Sequence, residues 1–178
     1  EVYGEPIVGK LGYSSAFLDT LLFEVFGQMV PPSLILPKLW LGSQYNAANR
    51  RELLSLGVSH VLNVTTQVDR FFPEDFVYMQ VHVLDVPSAD LLSHLDKAVE
   101  FIAQGVEHGK GVFVHCQEGV SRSASVVIAY VMRTERVSAA EAIARVKARR
   151  RVVNPNRGFR QQLLEWEAKL GVPPPASS

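Results

Sequence analysis

The residues best suited to chemistry lie in one stretch, His115-Cys116-Gln117-Glu118-Gly119-Val120-Ser121-Arg122-Ser123. An apolar run, Gly111 to His115, precedes it, and a segment with helical spacing follows. The stretch therefore reads as a loop between a buried strand and a helix. In open α/β sheets, ligands bind outside the carboxyl ends of the strands. A loop entering a helix aims unpaired backbone N–H groups, and the positive end of the helix dipole, at one point. Gly119 lets the backbone curl closely around an anion. Arg122 can hold two oxygens of a phosphate with its planar fork. Gln117, Glu118, Gly119, Val120, Ser121 and Arg122 are thus the expected phosphate cradle.

Cys116 sits at the root of that cradle. The thiolate is the nucleophilic form, and a free thiol near pH 8.5 falls to about 3.5–7.5 at helix N-termini or beside cations. Cys116 is accordingly expected to be a reactive, partly exposed thiolate. A lone cysteine is often only a small buried hydrophobe, but that role does not need this loop. An ionised sulfur facing phosphate predicts in-line attack at phosphorus and a cysteinyl-phosphate intermediate. Loop amides and Arg122 would stabilise the transition-state charge. The leaving oxygen needs a proton, and Asp85, at the end of an apolar segment, is the best-placed acid. Asp90 is its local rival and reads better as a helix cap. Ser123 can hydrogen-bond the sulfur, and His115 is expected to orient the loop. The five histidines (60, 82, 94, 108 and 115) have no paired spacing, so no metal or other cofactor is expected.

The elements that must position these groups follow from periodicity. Leu39 to Leu41, Val58 to Val64, Phe76 to Leu84 and Gly111 to His115 read as strands. Ala47 to Leu56, the segment marked by Leu91 to Ile102, Ser123 to Thr134, Ser138 to Lys147 and Asn156 to Leu170 read as helices. Strands alternating with helices predict an α/β fold, with a central, mostly parallel sheet flanked by helices. Phe17, Leu18, Leu21, Leu22, Val25, Phe26 and Met29 recur at helical spacing, bounded by Ser14-Ser15 and Pro31-Pro32. The organisation is read as an extension with an amphipathic helix over 1–32, a catalytic domain over 33–171 and a tail over 172–178. Arg145, Lys147, Arg149, Arg150 and Arg151 form one basic cluster, read as a solvated helix face. A second reading gives Arg151 the second phosphate of a doubly phosphorylated peptide.

The 178 residues carry 18 basic and 18 acidic side chains. Such balance gives no global drive toward nucleic acid or an anionic membrane, so neither is an expected partner. With one cysteine, no intrachain disulfide is possible. That points to a reducing compartment, the cytoplasm with the nucleus as an alternative.

These residues resemble the dual-specificity phosphatases of the Cys-x5-Arg protein tyrosine phosphatase superfamily. The likeness rests on His115 to Ser123, Ala129-Tyr130-Val131-Met132 and Asn154-Pro155-Asn156-Arg157-Gly158-Phe159. Leu39-Trp40-Leu41-Gly42-Ser43, Gly57-Val58 and Val61-Leu62-Asn63-Val64 extend it, so that it covers roughly Leu34 to Leu170. The resemblance implies a three-layer fold with Cys116 as nucleophile, Arg122 as phosphate binder, Asp85 as general acid, Ser123 as helper and Asn154 as a brace for the loop. It also implies phosphorylated proteins as substrates, on tyrosine and on serine or threonine, with a protein kinase among the candidates. A phosphoinositide, RNA or glucan phosphatase on the same fold is the alternative, and a phosphopeptide-binding module is a further one. The variable loop positions, Gln117, Glu118 and Val120, bring one anion and no cation, which disfavours a polyphosphorylated substrate.

Overall fold

Gly111 to His115 is buried at every position, and its alternate residues face opposite layers, Val112 and Val114 on one side and Phe113 on the other, as the two-residue period of a strand requires. In the computed structural model, which describes residues 30–172, the strands are β1 (Ser33–Leu36), β2 (Leu39–Gly42), β3 (Val58–Asn63), β4 (Val77–Gln80) and β5 (Gly111–His115). They form one sheet in the order β1-β2-β5-β3-β4. The β1–β2 pair is antiparallel and the other pairs are parallel. The expected central, mostly parallel sheet is therefore present. The expected amphipathic helix near residues 14–29 lies outside the described residues, as does the tail beyond Val172.

The helices are α1 (Gln44–Ala47), α2 (Arg50–Ser55), α3 (Leu92–Glu107), α4 (Arg122–Glu135), α5 (Ala139–Arg149) and α6 (Arg157–Leu170). Leu39, Leu41, Leu62, Val112 and Val114 join the large core under α3 to α6, together with Leu95, Ile128, Val146 and Phe159. Val58, Val61 and Phe113 point into a smaller cluster with Ala47, Leu53 and Phe76. The sheet is thus the middle layer, with its larger helical layer on one face.

Three elements differ from their expected form. The helix expected over Ala47 to Leu56 is two helices, because the Asn49 side chain accepts the Glu52 N–H at 3.2 Å and caps a new start. The strand expected over Phe76 to Leu84 ends at Gln80. Its alternation persists, with Val81 and Val83 buried. The ladder stops because β3 ends at Asn63, whose carbonyl takes the Val81 N–H at 2.8 Å. Finally, β1 had no counterpart among the expected strands, since prolines at 31, 32 and 37 bracket it. An edge strand tolerates such neighbours.

β5 lies in the centre of the sheet, and its last residue, His115, is paired with Gly42 of β2 and Asn63 of β3. The loop that follows therefore rises from the common carboxyl end of three parallel strands.

Candidate active site

The loop from Cys116 to Ser121 is shaped by what binds its carbonyls. His115 Nδ1 lies 3.3 Å from the Cys116 carbonyl. The Gln117 carbonyl accepts the Gln44 N–H at 3.0 Å. Arg150 Nη2 donates to the Glu118 carbonyl at 3.2 Å, and Arg150 Nε to the Gly119 carbonyl at 3.0 Å. The Val120 carbonyl accepts the Asn154 N–H at 2.9 Å. In a planar trans peptide, a carbonyl and the following N–H point in opposite directions. Five outward carbonyls therefore turn five successive amides the other way, around one centre. The Gly119 N–H shows that direction, reaching Cys116 Sγ at 3.2 Å.

Gly119 itself adopts φ +69°, and a Cβ there would lie 2.5 Å from the Gly42 carbonyl oxygen. Both the left-handed backbone and the close approach to β2 require glycine. Ser121 is the last loop residue before α4, and Arg122 opens that helix. The positive end of α4 is thereby aimed at the same centre.

Cys116 lies at the floor of the loop and is 1% exposed, rather than partly exposed as expected. Its sulfur also accepts the Ser123 hydroxyl at 3.1 Å. Two donors on one sulfur are placed to stabilise negative charge that develops there when it departs as a leaving group. His115 is fully buried, and desolvation pushes its pKa down to about 4, so its ring is neutral near pH 7.

Arg122 is almost fully buried, yet it faces three oxygen acceptors. Nη1 donates to Gln67 Oε1 at 2.9 Å and to the Val83 carbonyl at 3.3 Å. Nε stands 3.5 Å from Asp85 Oδ2 and makes no hydrogen bond. Among the described residues, the buried side-chain nitrogens or oxygens without a hydrogen-bond partner are His115 Nε2 and Arg122 Nε. A buried guanidinium N–H without a hydrogen-bond partner, at the start of the helix that follows the loop, is a donor suited to an anion's oxygen.

Asp85 stands across the cradle, its side chain 34% exposed. Its Oδ1 accepts the Ser121 hydroxyl at 2.7 Å and Asn156 Nδ2 at 3.0 Å. Ser121 Oγ in turn accepts the Asn156 N–H at 3.1 Å. The acid is thus tied to the loop and to the start of α6. Asp90 is not part of the site; its Oδ1 accepts the Ser93 N–H at 3.0 Å, at the start of α3.

Cys116, Arg122, Asp85, Ser123, His115 and the cradle residues 117–121 all meet here. Asn154 supports the loop through its backbone N–H, while its side-chain oxygen accepts from Arg160 at 2.7 Å. The side chain that joins loop and acid is that of Ser121, and Asn156 braces both, its N–H on Ser121 Oγ and its Nδ2 on Asp85 Oδ1. The basic cluster expected to be a solvated face is divided. Arg150 is 4% exposed beneath the loop, whereas Lys147, Arg149 and Arg151 are exposed. A signal existed in the spacing: Ala142, Val146 and Arg150 recur every four residues on the buried side of α5 and its C-terminal end.

Gln67 gave no such signal. Its segment is pinned by Asn63, whose Nδ2 donates to the Val68 carbonyl at 2.6 Å and whose Oδ1 accepts the Thr65 hydroxyl at 2.8 Å. No group of three or more His, Cys, Asp or Glu side chains placed to hold a metal occurs among the described residues.

A model for the catalytic domain of dual specificity phosphatases matches residues 39–169. The Slingshot protein phosphatase homologue of Xenopus laevis is 44% identical over 156 residues, which are 88% of this chain and 23% of that protein. Slingshot protein phosphatase of Drosophila melanogaster is 41% identical over 160 residues, 90% of this chain and 15% of that protein. The chain thus spans less than a quarter of the length of these relatives. Among solved structures, human DUSP28 has 35% identity and a TM-score of 0.77, covering 80% of this chain and 96% of that one. The human tyrosine phosphatase-like serine/threonine/tyrosine-interacting protein has 33% identity and a TM-score of 0.76, covering 78% and 97%.

Proposed function

The chain belongs to the dual-specificity phosphatase family, and from that premise we propose that it hydrolyses phosphotyrosine and phosphoserine or phosphothreonine in proteins through a cysteinyl-phosphate intermediate. The observation that carries the reading is Cys116 Sγ at the floor of the loop, held by the Gly119 N–H and the Ser123 hydroxyl, with buried Arg122 opening the helix that follows.

The phosphoryl group sits in the cradle with its oxygens on the loop N–H groups. Arg122 turns its Nε and one Nη toward two of those oxygens, exchanging some of its contacts with Gln67 and Val83. The Cys116 thiolate attacks phosphorus in line, forming a P–S bond as the P–O bond to the side-chain oxygen breaks. Protonated Asp85 gives its proton to that leaving oxygen. In the second step the Asp85 carboxylate takes a proton from water as the water oxygen attacks phosphorus. The P–S bond breaks, inorganic phosphate forms, and the sulfur leaves as a thiolate held by the Ser123 hydroxyl and the Gly119 N–H.

A protein substrate is favoured over a polyphosphorylated one because Gln117, Glu118 and Val120 supply no cation at the mouth of the loop. The substrate is a phosphorylated protein, with a phosphorylated kinase among the candidates. A second reading, phosphopeptide binding without useful turnover, draws on the likeness to the human interacting protein. The presence of both Cys116 and Arg122 weighs against it.

The test is turnover on a panel of phosphotyrosine and phosphoserine peptides, phosphoinositides, RNA 5′-triphosphate and phosphoglucan, with Cys116→Ser alongside. The proposal expects peptides to be the preferred substrates, and Cys116→Ser to bind phosphopeptide without turning it over. Wild-type-like turnover by Cys116→Ser refutes the mechanism. Tight binding by a wild type without turnover supports the second reading instead.

A further inference from the structure

Arg150 belongs to no part of the mechanism above, yet it is a buried guanidinium placed behind the phosphate cradle. It follows α5 directly, as the C-cap of that helix. Nε donates to the Gly119 carbonyl at 3.0 Å and Nη2 to the Glu118 carbonyl at 3.2 Å. Nη1 reaches Ser33 Oγ on the edge strand at 3.4 Å. A Cβ added to Gly119 would lie 2.9 Å from Arg150 Nη2, so the fork is packed directly against the loop.

One side chain therefore holds two consecutive peptide groups. The planarity of each peptide fixes the consequence. With the Glu118 carbonyl held by Arg150, the Gly119 N–H must point away from it, and it does so toward Cys116 Sγ. With the Gly119 carbonyl held, the Val120 N–H is turned toward the same side. These are the amides in the middle of the loop, where a left-handed glycine leaves the backbone freest to flip. A flipped peptide would present a carbonyl oxygen to the phosphate and the thiolate, replacing attraction by repulsion.

We infer that Arg150 is a positioning residue for catalysis, which locks the Glu118–Gly119 and Gly119–Val120 peptides with their N–H groups facing inward and sets a buried positive charge behind the Cys116 thiolate. The inference rests on the phosphatase reading of Cys116 and goes beyond it by assigning the orientation of the cradle to a residue 31 positions away. Burial pushes the Arg150 guanidinium below its ordinary pKa, and the charge on Cys116 opposes that push. The other titratable or charged groups on the elements around the sulfur are His115 on β5, Glu118 in the loop, Arg122 on α4 and Asp85 on the segment after β4.

The experiment compares wild type, Arg150→Met, Arg150→Lys and, as a surface control, Arg149→Ala. The measurements are the alkylation of Cys116 by iodoacetamide across pH 4–9, and kcat and KM on a phosphotyrosine mimic. Arg150→Met removes both charge and fork. It is expected to move the midpoint of the alkylation curve to higher pH and to lower kcat about 100-fold, as loss of oriented oxyanion donors does. Arg150→Lys keeps a charge and loses the two-pronged grip. It is expected to hold the wild-type alkylation midpoint while kcat still falls more than tenfold. Arg149→Ala is expected to match wild type in both.

A folded Arg150→Met with the wild-type alkylation curve overturns the electrostatic role. An Arg150→Lys variant with wild-type kcat overturns the orienting role, and it decides the matter even where Arg150→Met fails to fold. Failure of the phosphatase reading would look different. In that case wild-type Cys116 would alkylate like an ordinary thiol, and wild type itself would show no turnover.

Discussion

Replacing Gly158 with alanine should disable Asp85 without touching it. Gly158 lies in the first turn of α6 and approaches the Asp85 loop so closely that an added Cβ would sit 1.9 Å from the Pro87 carbonyl oxygen. The next contacts, Pro87 C at 2.6 Å and Cα at 2.8 Å, are also backbone. No rotamer change relieves such a clash, and ordinary contact begins near 3.4 Å, so the Pro87 peptide must retreat by about 1.5 Å. Pro87 is two residues from Asp85, whose ties to Ser121 and Asn156 are 2.7 and 3.0 Å long. A retreat of that size breaks both. Misplacing a reacting group by about 1 Å can lower the rate about 100-fold, within the 10²–10⁴ range of general acid catalysis.

We therefore expect Gly158→Ala to lower kcat about 100-fold on a phosphoserine peptide, whose alkoxide leaves poorly. On p-nitrophenyl phosphate, whose leaving group needs little proton help, the loss should be only a few-fold. Alanine is favoured over glycine in a helix by about 0.5–1 kcal/mol, so the fall in activity should exceed any fall in thermal stability. The assay is kcat across a series of aryl and alkyl phosphates, for Gly158→Ala, Asp85→Asn and the double variant. Residues acting as one unit give non-additive losses, so the double variant should be no slower than Asp85→Asn alone. A folded Gly158→Ala with the wild-type leaving-group dependence, or additive losses in the double variant, would refute the reasoning.

His115 makes stability depend on pH. The unfolded chain takes its proton near pH 6.5, whereas the folded ring stays neutral down to about pH 4. Its contribution is therefore complete above pH 6.5 and is lost as pH falls toward 4. At 1.36 kcal/mol per pH unit, the interval of about 2.5 corresponds to roughly 3 kcal/mol; urea unfolding midpoints should show it in wild type and not in His115→Gln, and equal slopes would exclude it. Ser123→Ala removes one of two donors to the departing sulfur, so breakdown of the cysteinyl-phosphate should slow at least tenfold. Stopped-flow measurement should then show a burst of product, and an unchanged second step would count against the Ser123 role. Gln67→Glu places a carboxylate against Arg122 Nη1, now 2.9 Å from a neutral amide oxygen. It should raise KM and the inhibition constant of vanadate about tenfold, an effect of about 1.4 kcal/mol, with little change in kcat; a fall in kcat at constant KM would mean that Gln67 acts otherwise.

The spacing of residues determined a good deal of this protein. The short apolar run from Gly111 to His115, closed by glycine and a polar loop, reads as a buried strand, and Gly119 with Arg122 marks a loop entering a helix, because each signal is local to a few residues. The place of Asp85 beside the loop was legible too, since it ends an alternating segment directed to the same sheet edge. Local pattern could not show where that segment loses its partner strand, nor that Asn49 divides one apparent helix into two. Tertiary structure decided which groups hold the loop and its clamp. Arg150 and Gly119 are 31 residues apart, Gln67 and Arg122 are 55 apart, and Asn156 and Asp85 are 71 apart. Such pairings follow only after β5 is set between β2 and β3, because a hydrogen bond depends on atoms within about 3 Å. Sequence periodicity states which face a residue takes, and the sheet order states which distant carbonyl it meets there.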